Sequence, residues 1–457
     1  MDLGTVVNLF ILGEESLNKN SLEVVLICKW ACGGNIEFNK QEYSINNIFH
    51  NGKVYYKIEG INSAKYQNFY YVNINRAGNS FCDYLLYESE DMNPPLEDSI
   101  PFAAIEATKN NGNESGNMTA QRASKFIPII EKWGNIKLAY LINNTGNILD
   151  TKKSFRQAHN CDFATMIALG VDILISHIGE TEYSLYNPPF KYESLNDIVI
   201  QENNKRINNK YTPSRVIDVG NNSVLIQANL YKKNGPHDPN EGYVASRAYL
   251  IRKLEPNKEI LIFNHNQTEL YFNKKNNKLI NVLKLVGVSA VFRDHILQVE
   301  KEENIFKNKK YWTYNCNGEK NASILAEVFL NNKGYTTIFS NHAGCEKSYI
   351  SIGDNFYTTK KGKGIPDLVM LNEDTNDLLV IEAEKTENYA KGILQMLDPE
   401  MDKFIDREFV KRIPKKINIK KYICTYGSYN PNTHKTVLFN LTKCGQISYN
   451  ENAVVVD

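Results

Sequence analysis

The sequence predicts a mixed α/β fold (α+β, with mixed sheets), in which two similar units flank a middle α/β region. The chain has 457 residues, too many for one ordinary core. Helix-like and strand-like segments alternate along it, and one order of elements occurs twice: helix, strands, acidic residue, acidic strand, helix and strand. We therefore predict units at residues 1–150, 151–305 and 306–457.

The composition indicates which classes of protein the chain can belong to. The chain is 42% hydrophobic and 23% charged, which is typical of a globular protein. Its net charge of +1 argues against a protein that coats nucleic acid without sequence preference. Since no apolar run of about 18 residues and no secretion signal occur, and the eight cysteines are scattered, we expect a cytoplasmic protein with reduced thiols and no membrane partner.

The first and middle units are predicted from alternating patterns of apolar residues. In the first unit we expect a helix, four strands, a second helix that carries Gln121, Arg122 and Lys125, and a closing strand, at residues 15–31, 54–58, 69–74, 82–88, 102–108 and 136–142. In the middle region we expect a helix-like stretch, a polar linker, a strand, a turn, a helix and a strand, at residues 163–178, 202–212, 224–231, 235–242, 243–254 and 259–264.

The C-terminal unit repeats the order of the first. Its predicted helix ends at Gly334, and the acidic residue Asp367 opens a strand that a short loop joins to an apolar strand. The other elements are predicted as strands at 336–340 and 355–359, the apolar strand at 378–384, one long helix at 387–409 and a strand at 420–427.

Three acidic residues and a lysine in this unit have a spacing that suits metal chemistry. Asp367 and Glu382 lie on strands predicted to pair, and Glu384 faces the same way as Glu382 because side chains alternate along a strand. Hard oxygen ligands from two strands suit Mg²⁺, with Lys385 beside them. The alternative is that both glutamates lie on a solvent-facing edge strand and that Lys385 pairs with one of them.

Residues 364–385 resemble the core of the PD-(D/E)xK nuclease superfamily, and in particular the type II restriction endonucleases. Pro366, Asp367 and Glu382 match the pattern, whereas Glu384 replaces its lysine and Lys385 stands one position late. Glu327, on the preceding helix, matches an additional carboxylate of this superfamily. The resemblance implies a nuclease that uses Mg²⁺ on double-stranded DNA, with the ion held by these acidic residues.

The first unit resembles the same core less closely. Asp83 opens a strand, and Glu106 and Lys109 lie in a segment that mirrors residues 381–385. The helix that follows resembles the DNA-contacting helix of restriction enzymes through Gln121, Arg122 and Lys125. One interpretation is a second active site, so that one chain cuts both strands. The other is a degenerate copy that binds DNA or serves packing, in which case cleavage of a duplex requires a homodimer.

Further DNA contacts are predicted at His237 in the turn of the middle region, and at Lys361 and Lys363. The interleaved basic and aromatic residues of 307–315 and 415–422 suit DNA contact as well. The alternatives are a plain tight turn at 235–242 and a solvated surface at the two basic segments.

The hypothesis that unites these patterns is a type II restriction endonuclease, with a DNA methyltransferase as its genetic partner. One alternative is a repair or junction-resolving nuclease of the same superfamily, which would recognise DNA structure. The other is a non-catalytic DNA-binding protein built on nuclease folds.

Overall fold

The computed structural model describes most of the chain, and the statements below concern those residues. It describes all residues except 1–6, 15–16, 18–21, 51–52, 77–81, 111–116, 145–152, 178, 205–213, 221, 233–234, 237, 266–276, 292–295, 315–317, 342–348, 353–354, 359–363 and 444–445.

The first unit is a mixed sheet with helices on both faces. Its elements are β1 (Asn8–Gly13), α1 (Glu23–Ala31), β2 (Glu37–Phe38), β3 (Ser44–His50), β4 (Lys53–Glu59), β5 (Ile61–Asn62), β6 (Asn68–Arg76), β7 (Tyr84–Ser89), β8 (Ala103–Asn110), α2 (Asn117–Ala123), α3 (Phe126–Trp133), β9 (Lys137–Asn144), α4 (Lys153–Ala168), β10 (Val171–His177) and β11 (Ser184–Leu185). The strands of the main sheet follow the order β11-β10-β9-β8-β7-β1-β6-β4-β3. Strands β8, β9 and β10 are parallel, and β7 runs antiparallel to β8.

This sheet extends beyond the predicted boundary at residue 150. We expected one helix-like stretch at 163–178, but α4 ends at Ala168 and the rest of the stretch forms β10 beside β9. The change occurs at Gly170, whose φ of 85° is a conformation that glycine adopts readily. Strands β1 and β3 were not predicted.

The middle region forms a smaller sheet, and its long helix packs against the first unit. Its elements are α5 (Leu195–Asn203), β12 (Arg215–Gly220), β13 (Ser223–Ala228), β14 (Tyr231–Lys232), β15 (Gly235–Pro236), α6 (Asp238–Leu254), β16 (Glu259–Asn264), α7 (Asn277–Val286), β17 (Ser289–Val291) and β18 (Ile296–Gln298). The sheet order is β12-β13-β16-β17-β18. The tight turn predicted at 235–242 is wrong in its second half, since α6 begins at Asp238 and a proline is tolerated in a first helical turn.

The C-terminal unit is a second mixed sheet. The strand β19 (Trp312–Tyr314) precedes it and pairs with β6. Its elements are α8 (Gly318–Asn331), β20 (Thr336–Ser340), β21 (Tyr349–Ile352), β22 (Asn355–Thr358), β23 (Leu368–Asn372), β24 (Asp377–Lys385), α9 (Tyr389–Met396), α10 (Pro399–Ile405), β25 (Asn418–Tyr426), β26 (Val437–Leu441) and β27 (Ile447–Tyr449). The order is β22-β21-β20-β23-β24-β25-β26-β27, with β23 antiparallel and β25 parallel to β24.

The single long helix predicted at 387–409 is wrong. A short 3-10 turn at Thr386–Asn388 leads into α9, which ends before Asp398, and α10 starts at Pro399. The Asp398 side chain accepts from the Glu400 backbone N–H, so it caps the new helix. The chain changes direction there because proline disfavours the helical conformation in the residue before it.

Each of the two larger sheets is covered by helices on both faces. In the C-terminal unit, α8 packs against the face of Leu379 and Ile381, and α9 and α10 pack against the face of Leu378 and Val380. In the first unit, α1 covers one face, and α2, α3, α4 and α6 cover the other. The fold is therefore mixed α/β, as predicted. Among the described residues, no helix is long and apolar enough to cross a membrane.

Candidate functional site

The three acidic residues predicted in the C-terminal unit lie on one face of its sheet. Asp367 directly precedes β23, where Leu368 pairs with Ile381, so Asp367 lies next to Glu382 across the two strands. The Oδ2 atom of Asp367 accepts from the backbone N–H of Ala383 at 2.9 Å. Glu382 and Glu384 alternate with Ile381 and Ala383, and so point to the face that α9 covers.

Both glutamates are buried in the middle of the sheet. Glu382 is 5% exposed and Glu384 is 3% exposed. Their strand, β24, has β23 on one side and β25 on the other. The alternative of a solvent-facing edge strand is therefore wrong, and the carboxylates need partners because an unpaired buried charge is costly.

Two side chains of α9 are among those partners, and neither was predicted from the sequence. Gln395 Nε2 donates to Glu382 Oε1 at 2.9 Å, and Lys391 Nζ donates to Glu384 Oε1 at 2.6 Å. The other oxygen of Glu382, Oε2, is buried without a hydrogen-bond partner. Among the described residues, the two buried glutamates thus share one ammonium group, that of Lys391.

This excess of negative charge affects protonation. Burial, followed by the charges of Asp367 and Glu384, raises the pKa of Glu382 well above its ordinary value, and Lys391 lowers it only in part. The hydrogen bond to Glu384 raises the pKa of Lys391. A cation placed among these acidic residues would favour the charged form of Glu382.

Two predicted members of the site lie elsewhere. The Lys385 side chain is exposed, and it points away from the face of Glu384 because β24 continues through residue 385 in register with Tyr426. The pairing of Lys385 with either glutamate is therefore wrong. Glu327 lies on α8, which packs on the face opposite the glutamates, so its role as a metal ligand stays a prediction.

The donor set suits a hard divalent cation in its chemistry. It offers carboxylate oxygens from two strands and one buried oxygen without a hydrogen-bond partner. In the part of the chain that the structure describes, no three His, Cys, Asp or Glu side chains are already arranged around one ion. The residues therefore fit a metal in their chemistry but not in their present positions, and ligation by all three would require Glu382 and Glu384 to turn from their α9 partners.

The first unit contains the same local arrangement. Asp83 directly precedes β7, Tyr84 pairs with Ile105, and Asp83 Oδ2 accepts from the backbone N–H of Ala107 at 2.9 Å. Glu106 lies between those two strand positions and is fully buried. In both units, an aspartate thus stands directly before one strand, and a buried glutamate lies on the next strand. The aspartate accepts a hydrogen bond from the backbone N–H of the residue that follows the glutamate.

The partners of the two glutamates differ. The Glu106 carboxylate accepts from Lys125 Nζ at 2.5 Å and from the Arg122 guanidinium. Burial and Asp83 raise the pKa of Glu106 to about 7, although Lys125 and Arg122 lower it. Arg122 and Lys125, which we predicted to contact DNA, instead face this carboxylate inside the unit.

The other residues predicted to contact DNA or to take part in catalysis lie in different parts of the chain. Gln121 lies where α6 crosses α2, so closely that a Cβ added at Gly242 would meet Gln121 Cα at 2.6 Å. Lys109 lies in β8, whereas His237, Lys361 and Lys363 fall outside the described residues.

Several residues of the two basic and aromatic segments make contacts within the protein. Trp312 is fully buried, and its Nε1 donates to the Tyr87 hydroxyl at 2.9 Å, so base stacking at 307–315 is wrong for this residue. In the segment 415–422, Lys420 and Lys421 pair with Asp377 and Asp402.

No protein-family model matches the chain, and neither a curated protein nor a solved structure is similar to it. Its function is accordingly inferred from the geometry of the two acidic sites.

Proposed function

We propose that the C-terminal unit is a Mg²⁺-dependent DNA endonuclease of the type II restriction kind. The observation that carries the proposal is the grouping of Asp367, Glu382 and Glu384 on one sheet face, where burial and the neighbouring carboxylates raise the pKa of Glu382. Such a group is costly to bury without a cation, and divalent cations serve phosphodiester hydrolysis.

Asp367, Glu382 and Glu384 would hold the ion. When bound, Mg²⁺ supplies a Lewis acid for the phosphate and lowers the pKa of a water molecule. The chain's own part is to fix the acidic residues. The N–H of Ala383 holds Asp367, and the side chains of α9 hold the two glutamates until they turn toward the ion.

The order of elements supports a DNA substrate by resemblance. In this unit α8 is followed by the antiparallel strands β20, β23 and β24. The helices α9 and α10 on the opposite face and the parallel strand β25 come next. Asp367 and Glu382 stand where the PD-(D/E)xK pattern has its acidic residues, and Glu384 stands in place of its lysine. We further propose that the enzyme cleaves DNA at a specific short sequence.

For the first unit we propose a copy that does not cleave DNA. Its buried glutamate pairs with two cationic side chains, Arg122 and Lys125. These side chains supply the positive charge that a metal ion would otherwise provide. One active site per chain then implies that cutting both strands requires two chains.

The test is digestion of plasmid DNA of known sequence by the purified full-length protein with Mg²⁺. We expect discrete fragments that EDTA abolishes and that Asp367→Ala loses, while Asp83→Ala retains them as the matched variant. Fragments whose ends follow DNA structure rather than sequence would favour a repair nuclease. DNA binding without any Mg²⁺-dependent cleavage would instead support the non-catalytic alternative.

A further inference from the structure

Resting on the proposed function of the C-terminal unit, we propose that Lys391 is the positioning residue of its active site. It takes the place that the nuclease pattern gives to a lysine on the acidic strand. It orients Glu384 and supplies the positive charge beside the three acidic residues.

The backbone of β24 excludes Lys385 from this place. Glu384 and Lys385 are consecutive residues of a regular strand, so their side chains point to opposite faces. The backbone N–H of Lys385 donates to Glu319 Oε1 of α8 at 3.1 Å. A kink that would turn the Lys385 side chain toward Glu384 is therefore absent at this described position.

The start of α9 brings Lys391 to the same carboxylate from above the sheet. Its Nζ lies 2.6 Å from Glu384 Oε1, and its side chain is 64% exposed while that of Glu384 is 4% exposed. The ammonium group thus stands at the boundary between the buried acidic residues and solvent. An incoming phosphodiester can therefore reach this charge from solvent.

Gly392 permits this approach. A Cβ added there would lie 3.1 Å from Glu384 Cγ and 3.3 Å from Ile423 Cδ1, closer than most real Cβ contacts. The absence of a side chain at 392 lets α9 lie against β24, and the preceding residue then reaches Glu384. The pair Lys391-Gly392 therefore acts as one structural feature of the site.

The proposed role makes metal affinity and cleavage change in opposite directions. Because Lys391 competes with a metal ion for Glu384, Lys391→Ala should bind Mg²⁺ roughly tenfold more tightly than the wild type. Cleavage of DNA should nevertheless fall roughly 100-fold, because the anionic substrate loses a positive charge beside Glu384. A merely structural lysine would weaken both properties together.

The experiment measures Mg²⁺ affinity by calorimetry and plasmid cleavage for the wild type, Lys391→Ala, Lys391→Arg and Lys385→Ala. Lys403→Ala is the matched control, since it removes an exposed lysine from a 2.7 Å pair with Glu400 on α10. Lys391→Arg keeps the charge and should restore the wild-type Mg²⁺ affinity. We expect Lys403→Ala to match the wild type in both measurements.

The outcomes separate the two proposals. If Lys385→Ala tightens Mg²⁺ binding and loses cleavage while Lys391→Ala changes neither, the assignment of Lys391 is overturned and the nuclease proposal stands. If the wild type binds Mg²⁺ without cutting DNA, the nuclease proposal fails. In that case, tighter binding by Lys391→Ala still supports its place beside Glu384, and unchanged binding overturns it. Absence of Mg²⁺ binding in the wild type would overturn both proposals.

Discussion

The two acidic sites share a backbone arrangement and differ in their charge. In both units an aspartate before one strand accepts from the backbone N–H that follows a buried glutamate, at 2.9 Å in each case. Glu106 is contacted by a lysine and an arginine, whereas Glu382 is contacted by the uncharged Gln395 and has Glu384 as a second acidic neighbour. Among the described residues, Glu106 thus has two cationic partners, whereas Glu382 and Glu384 together have one.

Their surroundings differ in the same sense. The helix α2, which carries Arg122, is covered by α6 of the middle region, and the contact at Gly242 leaves no room for a side chain. The C-terminal site has the exposed Lys391 at its border. Under the proposed function, an acidic motif in a sequence marks a metal site only when its neighbours leave part of the negative charge uncompensated.

The largest expected effect concerns cleavage. Glu382→Gln keeps the shape of the side chain but removes one carboxylate from the group, and we expect a loss of roughly 1,000-fold in the rate of Mg²⁺-dependent plasmid cleavage. The matched substitution Glu106→Gln should change the rate less than threefold. Equal losses in the two variants would show that the first unit is a second active site.

The next prediction concerns stability. Arg122→Ala leaves the buried Glu106 with one cationic partner fewer, and we expect the free energy of unfolding to fall by roughly 3–5 kcal/mol. Lys403→Ala removes one partner of an ion pair that is exposed on both sides, and should leave it nearly unchanged. Chemical denaturation of both variants measures the difference, and a similar small loss for Arg122→Ala would contradict the internal compensation in the first unit.

The third prediction concerns how the stability of the protein depends on the protonation of Glu106. The pKa of Glu106 is raised from 4.5 to about 7, so its contribution to stability is complete below about pH 4.5 and is lost as the pH rises through 7. The wild type should therefore lose about 3 kcal/mol relative to Glu106→Gln between pH 4.5 and pH 8. Denaturation of both proteins across this range tests the sign, and a constant difference would refute it.

The smallest expected effect is stabilisation by the metal. Mg²⁺ at ten times its dissociation constant should raise the free energy of unfolding by about 1.4 kcal/mol. The gain should grow with pH, because binding requires the charged form of Glu382, whose pKa is raised. Thermal unfolding with and without Mg²⁺ measures it. Glu106→Gln should keep the gain and Glu382→Gln should lose it, and the reverse pattern would exchange the roles of the two sites.

Much of the fold could be predicted because local apolar patterns determine it. The hairpin that joins Asp367 to Glu382 was predicted from two apolar segments separated by a short polar loop, and the structure has the strand pairing. The match of the first unit was predicted from its likeness to residues 381–385, and the strands that follow Asp83 and carry Glu106 also pair. The strand β10 was missed because a glycine inside one apolar run separates it from α4, and the break between α9 and α10 depends on the local cap at Asp398.

The partners of the acidic residues could not be predicted, because they depend on how a helix packs. Lys391 reaches Glu384 only because Gly392 brings α9 close to β24. Arg122 and Lys125 looked like DNA contacts because residue type alone cannot show whether a basic side chain faces solvent or an acidic core. The sequence signal that was available is a lysine followed by glycine, seven residues after Glu384.

The most direct measurement is the position of a divalent cation in crystals of the full chain soaked with Mn²⁺, located by its anomalous scattering. We predict one ion per chain, bound by Asp367 and Glu382 with Glu384 turned from Lys391, and no ion beside Glu106. An ion between Asp83 and Glu106, or no ion beside Glu382 at saturating Mn²⁺, would contradict the account.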